Sequence, residues 1–454
     1  MGGADRVFIG AGAGFAGDRI DGAIPVVRTL AQADAPAFLI YETLAERTLA
    51  LAQLDRMNGG SGYLSRLRSL LQPVIADCLR HRVRIIGNFG AAAPAQASKM
   101  IAALVAELGL PPARIAYVEG DDVLTGEVRT HLDAALARDG LPGEGLVAAN
   151  AYIGAKGIVD ALDAGADIVV TGRVADSALA LGPLIHTFRW SWQDWDRLAA
   201  GTLAGHLLEC AAQVTGGYFA DPGVKDVPDL ANVGFPIAEI SAGGEIVVSK
   251  PSGTGGCVTA ATVKEQLIYE IDDPGRYIAP DVVLDVTDVD VVELGRDRVL
   301  VRGARGRPAP ETLRVLVCRK GGWLAEAEIS YAGPNAVERG KLAVSVLTDR
   351  LRGQGHSAMR CDLIGISSIF GISIGDTGDS GAAVPGEVRV RLAVETADHE
   401  TALRAAEEVE ALYLCGPAGG CGVRRHVSQR LHSKALAIPR DAVRARAHFA
   451  GGLS

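Results

Sequence analysis

Along the first 190 residues one pattern recurs: a short apolar run, a glycine-rich or polar turn, then a segment whose apolar positions return every three or four residues. "RVFIGAGAGF" leads to "DGAIPVVRTLAQA", and "PAFLIYETLAERTLALAQL" passes from an apolar run into an amphipathic one. "RVRIIGNFG" precedes "PAQASKMIAALVAELG", "RIAYVEGDD" follows, and "ADIVVTGRVADSALALGPLI" closes the series. The short apolar runs predict strands and the longer periodic segments predict helices. Strands separated by helices of this length predict parallel βαβ units in a Rossmann-like sheet. The turns after the strands then gather at one carboxyl edge, where open α/β folds take ligands.

The pattern breaks at "HTFRWSWQDWDRL", where Trp190, Trp192 and Trp195 predict an amphipathic plate between layers. Residues 280–330 turn to short β runs around the arginine-rich "VRGARGRP", and "GEVRVRLAVETADHETALRAAEEVEALYLCG" predicts a strand followed by a helix. The expected architecture is α/β: a parallel domain over 1–190, a second α/β region over 191–370 carrying "SKPSGTGG", and a small α+β domain over 371–454.

Length and charge narrow the function. A chain of 454 residues has material for two or three domains. No apolar run approaches 18 residues and "MGGADRVFIGAGAG" enters a strand pattern directly, so a cytoplasmic protein without a membrane partner is expected. The net charge of -9 argues against nucleic acid. One stretch runs against that balance: Arg424 to His448 holds seven Lys or Arg and a single acid, Asp441, which fits a solvated face, a phosphorylated ligand or an acidic neighbouring subunit. The cysteines, at 78, 210, 257, 318, 361, 415 and 421, are odd in number, scattered and without a CxxC pair, which disfavours a disulfide framework or a thiolate zinc site.

Several stretches carry candidate chemistry. In "TGRVADSALALGP", Arg173 directly follows an apolar strand, and Asp176 and Ser177 open the next helix. The guanidinium can fork onto a carboxylate or phosphate while Asp176 orients it; a structural Arg-Asp pair closing the turn is the competing account. In "GHLLECAAQVTGG", His206 and Glu209 stand three apart and His206 and Cys210 four apart, on one helical face. That spacing suits an acid-base pair or a metal, against a simple hydrogen-bonded histidine. "VEGDD" sets Glu119, Asp121 and Asp122 at a strand end, for a divalent metal, a raised carboxyl pKa or a helix cap. "SKPSGTGGCV" places Lys250 before Ser252, Gly253, Thr254, Gly255 and Gly256, whose amides and hydroxyls could nest an anion, or form only a tight strand-to-helix turn. "GAGAGFAG" satisfies a glycine fingerprint only loosely, since the match is offset from the dinucleotide pattern.

The motifs "GDRIDGA", "YETLAERT", "NFGAAAP", "VEGDD", "TGRVADSALALGPL", "GHLLECAAQVTGGYFADPG", "SKPSGTGGCVTAATVKEQLIYEI" and "YAGPNAVERG", in this order, resemble the acyclic terpene utilisation (AtuA-type) family. The tail from "GISIGDTGDSGAAVPG" onward resembles the small ferredoxin-fold domain that accompanies it. The resemblance implies a role in breaking down branched, isoprenoid-derived acids through CoA thioesters. The expected reaction is addition-elimination or carbon–carbon cleavage next to a carbonyl, that is, a hydratase or lyase. Arg173, Lys250, Asn88, Ser177 and the residues from Ser252 to Gly256 would hold the substrate, and Asp176, His206, Glu209 or Lys250 would do the acid-base work. The expected partner is a small carboxylic acid or acyl-CoA, and the expected assembly is a homo-oligomer. No redox cofactor is demanded, no metal residues are assigned, and metal dependence is left open. The alternatives are a non-catalytic acyl-CoA or organic-acid binding subunit and a nicotinamide-dependent oxidoreductase resting on "GAGAGFAG".

Overall fold

Every apolar run of the opening series is a strand. In the computed structural model, which describes residues 4–369 and 385–451, they are β1 (Arg6–Ala13), β2 (Ala37–Tyr41), β3 (Arg84–Gly87), β4 (Ile115–Glu119) and β6 (Ile168–Thr171). They pair in parallel in the order β1-β2-β3-β6-β4. β5 (Leu146–Ala151) leaves this sheet and pairs with the strand Thr312–Ala332. The segment 371–384, "GISIGDTGDSGAAV", lies outside the described residues.

The reason β2 reads as an unbroken apolar run is visible in where its side chains go. Phe38 and Ile40 enter one apolar core, with Val7, Ile9 and Val169, while Leu39 and Tyr41 enter another, with Ile85 and Val170. A sheet covered on both faces buries both parities of its central strands, so period-two alternation disappears. Two glycines of β1 and its turn are fixed by close approach: a Cβ on Gly12 would stand 2.5 Å from the Tyr41 ring, and one on Gly14 2.5 Å from the Cys210 backbone. Close packing accounts for these glycines without any bound dinucleotide.

The sheet continues beyond the parallel strands. On the β1 side it adds β7 (Ile237–Ser241) and β8 (Ile246–Ser249), then Arg298–Arg302 and Asp290–Gly295, all antiparallel. On the other side Arg446–Phe449 pairs antiparallel with β4. Trp190 is buried, stacks on Phe188 at 5.3 Å and donates its indole N–H to Ala242 O at 3.1 Å, while Trp192 and Trp195 pack against the same core. Among the described residues no helix is long and apolar enough to cross a membrane, and all seven cysteines are free.

By its internal contacts the chain divides into two units, residues up to Cys318 together with those from Ser433, and Arg319–His432. The second unit runs strand, helix (Ala336–Gly353), strand (Met359–Ile364), strand (Glu387–Thr396), helix (His399–Cys415), strand. Its first and last strands are the later part of Thr312–Ala332 and the earlier part of Cys421–Pro439, and the spatial order is second, third, first, fourth. It has its own core, around Ile329, Leu347, Leu392 and Val409. Arg425, at the start of the basic stretch, pairs within this unit with Glu410 at 2.8 Å.

Candidate functional site

A cleft of about 820 Å³ opens in the first unit where the chain leaves β1, β2, β5 and β6. The turn after β6 contributes Arg173, Asp176 and Ser177, and the carboxyl end of the helix Trp195–Glu209 contributes His206 and Glu209. That helix is started by Asp194, whose carboxylate accepts from Arg197 N at 3.4 Å, and its residues from Leu198 to Leu208 are all buried. Burial of the whole last turn holds His206 in place.

Arg173 is buried beneath the cleft. Its backbone N–H donates to Asp121 Oδ2 at 2.8 Å and its Nε to Val174 O at 2.9 Å, while Nη1 donates to Leu44 O and Nη2 to Val174 O and Asp176 Oδ1. Of the five side-chain donors a guanidinium offers, four are therefore used inside the protein. Its face lies over the Tyr152 ring at 4.6 Å. Arg173 thus ties the β2 and β6 turns together and holds Asp176, whose side chain is about one-third exposed at the cleft.

His206 Nδ1 lies 3.0 Å from Glu209 Oε1 and Nε2 lies 3.2 Å from Leu267 O. A carbonyl only accepts, so Nε2 carries a proton, and a second proton is shared between Nδ1 and Glu209. Burial pulls the imidazole pKa down, but Glu209 beside it more than offsets this and leaves it raised. Burial also raises the Glu209 carboxyl, against the opposing pull of His206. Glu209 Oε2 is buried with no hydrogen-bond partner in the protein. Tyr277 tilts over His206 at 5.6 Å.

Glu42, immediately after β2, was not singled out from the sequence. It is buried against the cleft, and its Oε1 accepts from Leu44 N at 2.8 Å and from Asn88 Nδ2 at 2.9 Å. Burial, reinforced by Asp176 and opposed by Arg173, pushes its pKa up to about 8. The signal was the one used for Arg173, an ionisable residue directly after an apolar strand. Asn88 does not itself line the cleft; fully buried, it positions Glu42.

The loop from Lys250 to Gly256 is not brought to this cleft. The Lys250 side chain is nearly buried, donates to Thr254 O at 2.8 Å and lies 3.5 Å from Asp297 Oδ2. Gly255 N and Gly256 N donate to Asn232 O and Pro228 O, both at 2.8 Å, and the Thr254 hydroxyl donates to Pro251 O at 2.6 Å. Gly253 and Gly256 take φ of +76° and +82°, the left-handed backbone that this closed turn requires. Ser252 and Gly253 are exposed at its tip. These donors are spent within the loop and on the segment 228–232 instead of leaving an open nest.

In "VEGDD", Asp121 accepts from Arg173 N and from Asn150 Nδ2, each at 2.8 Å, and burial pushes its pKa up to about 6. Asp122 caps Leu124 N at 3.0 Å. Among the described residues no group of three or more His, Cys, Asp or Glu side chains is arranged to hold a metal ion.

Fold and cleft together define a mixed α/β protein with buried ionisable groups at the carboxyl edge of its parallel strands. Residues 7–449 match the model for acyclic terpene utilisation family protein AtuA, and the chain belongs to that family. Membership implies a role in acyclic terpene utilisation. Comparison with curated proteins and with solved structures finds no match.

Proposed function

We propose that this chain is an enzyme that moves a proton next to the carbonyl of a branched, isoprenoid-type carboxylic acid or its acyl-CoA thioester, in an addition-elimination or carbon–carbon lyase reaction. The observation that carries the reading is the pair of differently tuned groups on one cleft: Glu42, raised to about 8, and His206–Glu209, which share a proton. Titratable groups whose surroundings push them apart supply an acid and a base at the same pH. Glu42 is neutral at pH 7 and donates from Oε2, since Oε1 is taken by two N–H donors. Glu209 Oε2 accepts the substrate proton, with His206 stabilising the charge. Asp176 and Ser177 orient the substrate, and Arg314, about half-exposed at the rim, offers a cation to its carboxylate or phosphate. Phe15, Leu44, Ala175, Ile278, Pro280 and Leu313 give the same cleft apolar wall for a branched hydrocarbon. This chemistry needs no redox cofactor.

The finer fold follows the same lines. We infer a Rossmann-like arrangement for β1 to β6, supported by five parallel strands with intervening helices. For 319–432 we infer a ferredoxin-like one, supported by its βαββαβ order.

A binding-only role is the second reading, favoured by the use of four Arg173 donors within the protein. The test is exchange in D₂O with a panel of branched acids and acyl-CoA thioesters, followed by mass. Deuterium incorporation or turnover by the native chain, lost in Glu42→Gln and Glu209→Gln, supports the enzyme. Tight binding with neither exchange nor turnover supports the binding subunit.

A further inference from the structure

When a proton leaves the carbon next to a carbonyl, the C–H pair becomes the C=C bond of an enolate and the carbonyl oxygen takes the negative charge. A hydrogen-bond donor must stand where that oxygen comes to rest. The residues described so far leave this place open. Arg173 spends four of its side-chain donors inside the protein, and Lys250 with its glycines lies away from the cleft.

Tyr277 has the missing donor. It stands on the strand Tyr277–Ile278, which pairs antiparallel with Val283–Asp285, and it lines the cleft with its ring tilted over His206 at 5.6 Å. The ring packs against the core of the first unit. Its hydroxyl meets no hydrogen-bond partner among the described residues, and unlike the Tyr331 hydroxyl it is not sealed from solvent. Tyrosine hydroxyls in largely buried rings normally find a partner, so one left free at a cleft is available to a ligand. Burial, reinforced by the charges of Glu209 and Asp176, holds this phenol well above its ordinary pKa, and it therefore keeps its proton and donates. Those two acids do not repel an enolate. Asp176 is paired with Arg173, and Glu209 is discharged by the same proton whose departure creates the oxyanion. A tyrosine together with a carboxyl kept neutral can hold such an oxygen, and Glu42 is a neutral carboxyl on the same cleft.

We propose that the Tyr277 hydroxyl is a catalytic hydrogen-bond donor that holds the enolate oxygen of the substrate, whose carbonyl therefore points toward the strand Tyr277–Ile278. The O–H bond stays intact; only the substrate proton moves, to the His206–Glu209 pair. The proposal rests on the proton transfer proposed for that pair, and its test needs a readout besides turnover. A phenol that gives its proton to Glu209 mimics the enolate, and 4-nitrophenol reports this by the colour of its phenolate. The full chain is titrated with 4-nitrophenol at a pH where the free phenol is protonated, with nitrobenzene as the same ring without the oxygen. The native chain should hold the coloured phenolate. Tyr277→Phe keeps the ring over His206 and should weaken phenolate binding about ten- to hundredfold, the range of one charge-assisted hydrogen bond, leaving nitrobenzene affinity and Tm unchanged. Deuterium exchange into the branched acids should fall about 10²- to 10³-fold in the same variant. If that variant fails to fold, the Tyr277 hydroxyl proton of the native chain should move downfield in NMR spectra with 4-nitrophenol and stay in place with nitrobenzene. No bound phenolate in the native chain, an unmoved hydroxyl proton, an equal loss for nitrobenzene, or a loss found in Ser177→Ala and absent in Tyr277→Phe overturns the proposal. Phenolate held through Tyr277 without exchange of any acid supports the oxyanion site and removes the reaction; exchange undiminished in Tyr277→Phe keeps the reaction and removes the role of Tyr277.

Discussion

Asn88 fixes which oxygen of Glu42 can carry a proton. Its Oδ1 accepts from Thr43 N at 2.7 Å and from the Thr43 hydroxyl at 3.1 Å, so its Nδ2 must face Glu42 Oε1, at 2.9 Å. With Leu44 N also donating to Oε1, the acidic hydrogen belongs on Oε2. A buried carboxyl can thus stay neutral without losing a hydrogen bond.

Glu42→Gln should separate stability from activity. An acid raised from its ordinary 4.5 to about 8 holds more protons folded than unfolded between those values. Native stability therefore falls as pH rises through that window and is flat on either side. The glutamine, which keeps both bonds to Oε1, should remove this slope and gain on the order of a few kcal/mol over the native chain at pH 8, with little difference near pH 4. Thermal melts of both proteins from pH 4 to 9 check it, and any turnover should drop about 10²- to 10⁴-fold.

Glu209→Gln should lower the His206 pKa, because burial then acts without the carboxylate that overrides it. A raised histidine stabilises the fold fully below its unfolded value and loses that contribution as pH rises through the folded one. The variant should thus lose stability chiefly on the acid side. Titration of the His206 ring by NMR reads the shift; an unchanged value would remove the shared-proton pair.

Lys250→Met should be a stability variant. It leaves Asp297 without its ammonium and Thr254 O without its donor, at a site where the lysine side chain is 5% exposed and the aspartate 24%. We expect a loss of about 1 to 3 kcal/mol with ligand affinity unchanged. Urea melts beside a binding titration decide between this and an anion site.

Arg173→Lys should destabilise by about 3 to 5 kcal/mol, since an ammonium cannot reproduce the fork to Leu44 O, Val174 O and Asp176. Chemical denaturation measures the loss, and the cleft-lining Asp176 should become more mobile with it.

The parallel strands were legible because burial on both faces writes a continuous apolar run into each one, and amphipathic helices fall between. β5, "LVAANA", is just as apolar, but its partner begins at Thr312 and no local pattern announces that pairing. The same holds for Arg446–Phe449 beside β4. Strand-end position and helical spacing pointed to Arg173, Asp176, Ser177, His206 and Glu209, which the structure brings to one cleft. Glu42 escaped because its raised pKa comes from burial and from Asp176, which lies far along the chain after β6. Lys250 could not be placed from the sequence, because glycines beside a lysine read alike whether their loop opens toward an anion or is tied down; its pairing with Asp297 lies 47 residues on.

The strand Arg446–Phe449 covers an edge that β4 would otherwise leave bare. During synthesis the five parallel strands emerge long before it, and the whole of 319–432 must be made in between. The first unit therefore cannot complete its sheet until residues 446–449 have been made. Until then, β4 offers unpaired N–H and C=O groups to any passing chain. A chaperone that shields this edge should raise yield more for the full chain than for the isolated 319–432 unit, whose strands are all made within one stretch.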